Sequence, residues 1–531
     1  MSKNPFSKEI KTFSVIGPCY KDDWKCLEES ARTLDEQEYK HFEWIVVFDG
    51  KNKKGEIEMM RLAKKYPLLD MKYFIIKHAG ACAARNFGAT KATGDYYAFV
   101  NTDNYLYPES LRIWANEFED PKINRVWGTY DLVDAQGNKF GAVAGVPVYP
   151  NGKVWYESFK FTNYCDSSFP IRKEAYIEWD TTVKSLNDWD WVIRQLQRDN
   201  FQGKDFKFIN HSFFLAEAPQ KGGLSDDSHQ NWIDRTDYIR NKNGIPKSDI
   251  CVTSLGAAHH GFHIAQKLGA DYIPMPSFKP HKYKTIYLAG FYTAEHDGSN
   301  VTQTHMSVFD NFKGKKIIHW IGSDVLQMHW NCSFEKIKSL KKWFKDNKII
   351  NLTECEWTQK EMAELGIKTK IVPIPPKKLN KPMPLPEEFA VGIYESSVNQ
   401  MYNQELMEDI IRAMPDVKFY LFGDDSRKGE KGSNYEHLGF TDMNEWMPKL
   451  SCNLRCSVHD GLPLLPIEFM TAGRQVVMNY PLKGAIHIEK VRKQIVEAIR
   501  YARKHTLDKK WPKYWTKEMN YKLFERRIRC L

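Results

Sequence analysis

Short apolar runs alternate with amphipathic segments along the first hundred residues of the chain. The apolar runs have the length of buried strands, and the segments between them repeat apolar residues at helical spacing. The pattern predicts strands at 13–16, 44–48, 73–76 and 96–100, and helices at 26–34, 56–65 and 83–92. Such alternation indicates an α/β fold in which helices cover a mostly parallel sheet.

A second series of the same kind follows the polar segment Asp237–Asp249, which is rich in turn residues and reads as a boundary. Its apolar runs begin at Ile250 and continue to Met478. A proline-rich stretch at 373–386 divides this series into halves and is typical of a stiff link. We therefore predict three α/β units, at residues 1–245, 246–372 and 373–531.

Composition narrows the class of protein. A chain of 531 residues is too long for one core, and its 42% hydrophobic and 27% charged residues are those of a globular protein. No apolar run approaches the roughly 18 residues that cross a bilayer, and residues 1–11 lack the apolar core of a signal peptide. The ten cysteines form no metal-type pairs. We expect a cytoplasmic protein with free thiols that is not an integral membrane protein.

The basic surplus lies at the C-terminus. Residues 481–531 contain 15 Lys and Arg against 5 Asp and Glu, which equals the net charge of +10 of the whole chain. Aromatic residues such as Trp511, Trp515 and Phe524 are interleaved with these cations. The mixture suits an anionic surface, either a membrane to which the protein binds peripherally or DNA. It equally suits a solvated helix packed on the neighbouring domain.

The candidate chemistry begins where the predicted strand 96–100 meets Asn101-Thr102-Asp103-Asn104. Ligands of open α/β sheets bind at the carboxyl ends of strands, and Mg²⁺ or Mn²⁺ prefers carboxylate and diphosphate oxygens. Asp and Asn also end strands simply by making turns. The motif alone leaves both interpretations open.

Several motifs follow one another in a familiar order. They are Val15–Tyr20, Val46–Gly50, Arg85-Asn86, 165–173 and Leu186–Trp191. In this order they resemble the family 2 glycosyltransferases of the GT-A fold, which transfer a sugar from a nucleotide donor to a hydroxyl. A divalent cation and an acceptor base are the needs of that reaction.

The resemblance implies a role for each motif. Asp188 would be the general base of an inverting, in-line displacement, although an N-cap of the helix at 189–197 is the alternative for this residue. The remaining implied roles are metal binding by Asp103 and Asn101, and donor binding by Pro18, Tyr20, Asp49, Arg85 and Asp103. Asn101 and Asn104 stand where the family usually has acids, so we expect weaker or partial metal dependence.

The second half resembles the family 4 type of GT-B glycosyltransferase, most clearly at Asp460–Gly473. The resemblance implies donor binding by Asp460, Gly461 and Glu468, with Glu468 at the start of a helix and bound to the ribose. The basic clamp that the family carries after its first nucleotide-domain strand is missing, and Arg427, Lys428 and Lys431 in the loop of the next strand are the possible substitutes. This half is either an altered transferase or a module that binds the acceptor.

Together these patterns predict a two-module glycosyltransferase: a GT-A unit followed by a GT-B-like pair of Rossmann-type domains. The donor would be a nucleotide sugar, with UDP-sugar the first choice, used with Mn²⁺ or Mg²⁺. The acceptor would be a polysaccharide or lipid-linked glycan. Two alternatives stay open, a phage-type DNA glycosyltransferase acting on hydroxymethylated bases and a non-catalytic carbohydrate-binding scaffold.

Overall fold

A computed structural model gives the architecture of the chain. It describes residues 10–133, 138–143, 154–161, 163–164, 166–217, 229–254, 258–273, 283–293, 295–296, 299–376, 379–396 and 399–531. The chain forms two compact units, Met1–Lys247 and Ser248–Leu531.

Unit 1 is built on one mixed sheet. Its strands are β1 (Phe13–Cys19), β2 (Phe42–Asp49), β3 (Asp70–Ile76), β4 (Tyr96–Ala98), β5 (Asn104–Leu106), β6 (Arg125–Val133), β7 (Lys139–Val143), β8 (Pro170–Arg172) and β9 (Phe206–Glu217). Its α-helices are α1 (Leu27–Asp35), α2 (Lys53–Lys65), α3 (Ala81–Lys91), α4 (Ser110–Glu117), α5 (Asn187–Leu196) and α6 (His229–Lys242).

The strand order of this sheet is β3-β2-β1-β4-β8-β6-β9-β5, with β7 paired to β6. Strands β3, β2, β1 and β4 run parallel to one another, and β8 joins them antiparallel. The carboxyl ends of β1, β2 and β4 therefore meet at one edge of the sheet. In open α/β sheets that edge holds ligands.

Helix α3 packs closely on the face of this sheet because a glycine points towards it. A Cβ on Gly88 would sit 2.4 Å from the side chain of Ile16 in β1, so only glycine permits this approach. The close packing fixes the height of α3 above the sheet. It thereby sets the position of Arg85, one turn earlier in the same helix.

Unit 2 contains two further sheets and a small hairpin. Its strands are β10 (Ile250–Thr253), β11 (Asp271–Tyr272), β12 (Thr285–Ala289), β13 (Glu295–His296), β14 (Ser299–Asn300), β15 (Lys315–Trp320), β16 (Ile350–Thr353), β17 (Lys370–Ile371), β18 (Ala390–Tyr394), β19 (Lys418–Phe422), β20 (Tyr435–Gly439), β21 (Cys452–Arg455), β22 (Gln475–Met478) and β23 (Ile486–His487). Its α-helices are α7 (Ala258–Leu268), α8 (Val301–Ser307), α9 (Ser323–Asn331), α10 (Phe334–Asp346), α11 (Glu356–Glu364), α12 (Gln404–Ala413), α13 (Met443–Trp446), α14 (Leu464–Thr471), α15 (Arg492–Lys504), α16 (Lys510–Glu518) and α17 (Tyr521–Arg529).

Both larger sheets of unit 2 have six strands, and all the pairings in them are parallel. Their orders are β11-β10-β12-β15-β16-β17 and β20-β19-β18-β21-β22-β23. Counted from its own first strand, the second order is 3-2-1-4-5-6, that of dinucleotide-binding Rossmann folds. The predicted fold class, an α/β unit followed by a Rossmann-type pair, is confirmed.

The helices of the C-terminal basic region are packed against the rest of unit 2. Trp515 of α16 is buried and donates its indole N–H to the carbonyl of Lys483 at 2.8 Å. Phe524 of α17 is also buried, and Arg529 donates to the carbonyl of Leu268 at the end of α7. These helices match the packed alternative, with lysines and arginines on their outer faces. Among the described residues, no helix is long and apolar enough to cross a membrane.

Candidate functional site

Asp49 ends β2 and is almost fully buried. Its carboxylate accepts hydrogen bonds from the backbone N–H groups of Ala79 and Gly80 at 2.7 and 2.9 Å, and its Oδ2 lies 2.8 Å from Nδ1 of His78. Gly80 caps helix α3 with φ of 95°, a conformation suited to glycine. Asp49 therefore anchors the loop that leads into α3.

Tyr20 and Pro18 frame the same edge of the sheet. The ring of Tyr20 stacks on His78 with centroids 4.7 Å apart, and 37% of the tyrosine is exposed. The hydroxyl of Thr102 donates to the carbonyl of Pro18 at 3.3 Å. An exposed flat ring beside a buried carboxylate is a suitable seat for a planar base. The structure thus places Pro18, Tyr20 and Asp49 together, and their donor-binding roles stay predictions.

Arg85 is the buried cation of the site. Its Nη2 donates to the side-chain oxygen of Asn101 at 2.8 Å and to the hydroxyl of Ser167 at 3.1 Å, and its Nη1 donates to Asn187 at 3.1 Å. Burial lowers the pKa of Arg85, while the nearby carboxylates Asp166, Asp188 and Asp103 act in the opposite direction. One guanidinium thus connects α3, the turn after β4 and the start of α5.

An aromatic stack supports this guanidinium from its face. Arg85 lies over Trp179 at 4.6 Å, Trp179 stacks on Trp191 at 4.1 Å, and Arg125 covers the other side of Trp191 at 4.3 Å. Cation–π contacts of this kind are strongest when they are desolvated, and both tryptophans are buried. The stack fixes Arg85 relative to α5, the helix that carries Trp191.

Asp188 is the second residue of α5 and is partly buried. The N-cap of α5 is Leu186, so the alternative prediction that Asp188 is the N-cap of this helix is wrong. Burial first, and then the charge of Asp166, raise the pKa of Asp188 to about 6. A carboxyl group that titrates near neutrality can accept a proton from a hydroxyl and later release it.

Asp166 is a site residue that the sequence motifs did not single out. Its Oδ1 accepts from the amide of Asn104 at 3.1 Å and from the backbone N–H of Ser168 at 2.8 Å. An acid two residues before a serine is a signal for such a turn. Asp166 therefore connects the turn after β4 to the segment before β8, and its charge acts on Asp188.

The predicted metal motif is arranged for hydrogen bonding. The Asn101 side-chain oxygen accepts from both Arg85 and Ser167, so a cation bound there would lie beside a guanidinium. Asn104 is buried and donates to Asp166 and Ser168. Asp103 is exposed in the turn between β4 and β5. Within the described part of the chain, no three His, Cys, Asp or Glu side chains group closely enough to hold a metal ion. Asn101 fits a cation poorly.

The predicted second site lies at the carboxyl ends of β18 and β21. Asp460 is buried, and both of its oxygens accept from Arg455, at 2.5 and 2.8 Å, with a third bond from Ser457 at 2.9 Å. Arg455 also lies over the rings of Tyr394 and Tyr402. The acid predicted to bind donor is therefore engaged by an arginine that the sequence reasoning missed.

The first strand of this sheet ends on an acid where the family carries a basic clamp. Glu395 is buried, and its Oε1 lies 2.6 Å from Nδ1 of His437. Arg427, one of the predicted substitutes for the clamp, lies near this strand end, with its Nη1 3.9 Å from Oε2 of Glu395. It is shared with Glu408 at 3.2 Å and Glu430 at 3.1 Å. The charge at this strand end therefore differs from that of a diphosphate clamp.

Gly461 and Glu468 occupy different settings. A Cβ on Gly461 would lie 2.4 Å from the carbonyl of Ile321, so the two loops touch through backbone. Glu468 lies one turn into α14, which begins at Leu464, so its predicted place at the helix start is wrong. Burial raises the pKa of Glu468 to about 7.

Some predicted segments lie outside the described residues, among them Cys165 in the segment 165–173. The nine cysteines that the structure describes are all free thiols.

Comparison with known proteins finds glycosyltransferases that are similar to part of this chain. An uncharacterized glycosyltransferase of Rickettsia conorii is 28% identical over 143 residues, which is 27% of this chain and 23% of the relative. One from Methanocaldococcus jannaschii is 29% identical over 234 residues, covering 39% of this chain and 79% of the relative. The chain thus spans about a quarter of the first of these relatives.

Two solved structures cover parts of the chain. TarS of Staphylococcus aureus has 18% identity and a TM-score of 0.31, covering 43% of this chain and 39% of TarS. Sucrose-phosphate synthase of Thermosynechococcus elongatus has 12% identity and a TM-score of 0.40, covering 48% and 75%. The family model described as glycosyl transferase family 2 matches residues 14–179. This match lies within unit 1, so residues 14–179 are the part of the chain that is similar to glycosyl transferase family 2.

Proposed function

We propose that unit 1 transfers a sugar from a nucleotide-sugar donor to a hydroxyl of a glycan acceptor, with Asp188 as the base. The observation that carries the proposal is the placing of Asp188, with its pKa near 6, in one cluster with Arg85 and Asp166. The cluster lies in the unit that contains the family 2 match.

The reaction follows from what these groups can do. The oxygen of the acceptor hydroxyl bonds to the anomeric carbon of the donor sugar while ionised Asp188 takes the proton of that hydroxyl. The bond from the anomeric carbon to the diphosphate breaks at the same time, and the nucleoside diphosphate leaves. At neutral pH a carboxyl group with a pKa of about 6 is mostly ionised, yet basic enough to hold the proton. General-base catalysis of this kind contributes about 10²–10⁴-fold to the rate. Arg85 supplies fixed positive charge beside the reacting groups.

A divalent cation stays a prediction from the sequence. Among the described residues no three His, Cys, Asp or Glu side chains group closely enough to hold a metal ion, and the side-chain oxygen of Asn101 accepts from Arg85. The steps above therefore use only protein groups. We propose a UDP-sugar as the first donor to test, and a polysaccharide or lipid-linked glycan as acceptor.

The test is nucleoside-diphosphate release from a panel of UDP-, GDP- and dTDP-sugars, with Mn²⁺, Mg²⁺ or EDTA. The wild type is compared with Asp188→Asn, Asp103→Ala and Glu468→Ala, and with Glu178→Gln as a control for an exposed carboxylate of the same unit. We expect release that falls at least about 100-fold in Asp188→Asn and is unchanged in Glu178→Gln. No release from any donor would favour the scaffold alternative and refute the proposal.

The same panel assigns the second unit. Loss of a different donor activity in Glu468→Ala would show that unit 2 is also a transferase. Unchanged release in Glu468→Ala would leave unit 2 as the acceptor-binding module. Persistence of full activity in EDTA would show that the cation is dispensable.

A further inference from the structure

Two large aromatic side chains of unit 2 that lie four positions apart in the chain are both exposed. Trp330, near the end of α9, is 66% exposed, and Phe334, the first residue of α10, is 77% exposed. Among the large hydrophobic residues that the structure describes as exposed, they are the one aromatic pair separated by no more than four positions in the chain. Exposed aromatic clusters on a soluble fold mark surfaces that contact another phase or partner.

A row of lysines continues from this pair along α10. Lys338, Lys341, Lys342 and Lys345 follow Phe334 at intervals of four, seven, eight and eleven residues, which places all five on one helical face. All five are exposed. In the part of the chain that the structure describes, no ion pair joins these four lysines to a carboxylate. Leu340 and Phe344, on the opposite face, are buried and hold the helix against the unit.

We propose that this surface, Trp330, Phe334 and the four lysines, binds an anionic phospholipid membrane peripherally. Aromatic rings favour the interface between headgroups and acyl chains, and lysine ammonium groups pair with lipid phosphates while their aliphatic stems lie along apolar surface. Each lysine near an anionic leaflet adds to the attraction. The row contains no arginine, the residue preferred for bidentate contacts to nucleic-acid phosphates, so lipid is the better match.

The proposal is independent of the glycosyl transfer proposed above. It also differs from the earlier expectation that the C-terminal tail meets the membrane, because the aromatic residues Trp515 and Phe524 of that tail are buried. It assigns membrane contact to the α9–α10 corner, and the two surfaces can be compared directly.

The experiment is flotation of the full chain with vesicles of phosphatidylcholine alone or with about 30 mol% phosphatidylglycerol, at low and high salt. One variant combines Trp330→Ser with Phe334→Ser, and a second combines Lys338→Glu with Lys342→Glu. The matched control for charge is Lys513→Glu with Lys517→Glu, two exposed lysines of α16. Thermal unfolding checks that every variant is folded.

We expect the wild type to float with anionic vesicles, less at high salt, and not with phosphatidylcholine alone. Each corner variant should lower the bound-to-free ratio at least tenfold, and the α16 control should change it less than twofold. Absence of binding to anionic vesicles at low salt would overturn the proposal. So would equal binding to neutral vesicles, or corner variants that float like the wild type. Binding to duplex DNA that the corner variants abolish, without vesicle binding, would reassign the surface to nucleic acid.

Discussion

Replacing Asp188 with Asn should lower the proposed transfer at least about 100-fold and at the same time stabilise the protein. The carboxylate at this position is partly buried beside Asp166, and both effects raise its pKa. Asparagine keeps an oxygen that can accept from the Trp189 backbone N–H, as Asp188 does at 2.8 Å, but carries no charge to desolvate. Under the proposed function, the ionised base is therefore held at a cost in stability, a common relation in enzymes.

The magnitude follows from the pKa. A shift from the usual 3.8 to about 6 disfavours the ionised form in the folded state by about 3 kcal/mol, at 1.36 kcal/mol for each factor of ten in acidity. For a unit of this size, 1 kcal/mol changes the melting temperature by about 2–4 °C. The variant should therefore melt about 6–12 °C above the wild type when the full penalty applies.

The pH dependence gives the sharpest test. Between about pH 4 and 6 the folded state holds the Asp188 proton and the unfolded state does not, so wild-type stability falls as pH rises through this window. We expect no melting difference between variant and wild type near pH 4 and the full difference at pH 8, by differential scanning calorimetry. Wild-type transfer should fall as pH drops below about 6. A variant that melts below the wild type at pH 8, or by a constant margin at every pH, would refute the reasoning.

Three further predictions concern unit 2. Asp460→Asn leaves Arg455 buried without its partner and should destabilise the unit by about 3–5 kcal/mol in urea unfolding, while adding Arg455→Met should restore part of the loss. His305 is buried with its pKa lowered to about 4, so stability falls as pH drops from 6.5 towards 4; His305→Phe should remove about 2 kcal/mol of that loss at pH 5, and an unchanged pH profile would contradict this. Gly322 has φ of 114° and its Cβ would lie 2.5 Å from backbone, so Gly322→Ala should cost at least ~2 kcal/mol, clearly more than Gly429→Ala, where φ is 90° and the space is open.

The strands of unit 1 were predictable where several successive residues are apolar. The runs predicted at 13–16, 44–48 and 73–76 all fall within β1, β2 and β3. β1 and β2 are buried along nearly their whole length, and a strand covered on both faces is apolar at every position. β3 lies at the edge of the sheet and is only partly buried, yet its apolar residues still marked it as a strand. The run at 96–100 extends beyond β4, which ends at Ala98. Phe99 and Val100 are as buried as strand residues but leave the ladder, since the backbone N–H of Val100 bonds to the carbonyl of Ala98. Hydrophobicity records burial and does not record that turn.

The candidate site was predictable only in its local parts. Asp49, at the end of β2, follows from the chain order of the strands, whereas Asp103 lies in the turn beyond the end of β4. Asp166 does not follow from that order, because its bond to Asn104 joins residues 62 positions apart. Arg455 is different, since its partner Asp460 is five residues away. Sequence alone does not tell whether a charged residue at the end of an apolar strand turns towards the acid of the following turn or towards solvent.

The stacking of Arg85 on Trp179 determines the directions in which Arg85 can donate hydrogen bonds. A guanidinium is planar, and an indole on its face leaves every N–H pointing outward in the plane, where Asn101, Ser167 and Asn187 accept. The contact between the guanidinium face and the indole uses none of these N–H donors. Arg85 can therefore exchange one acceptor for another by a small rotation within its plane, while the indole keeps it at the same height. Lysine at this position would keep the charge but would lose the planar set of donors that stacking on the indole orients.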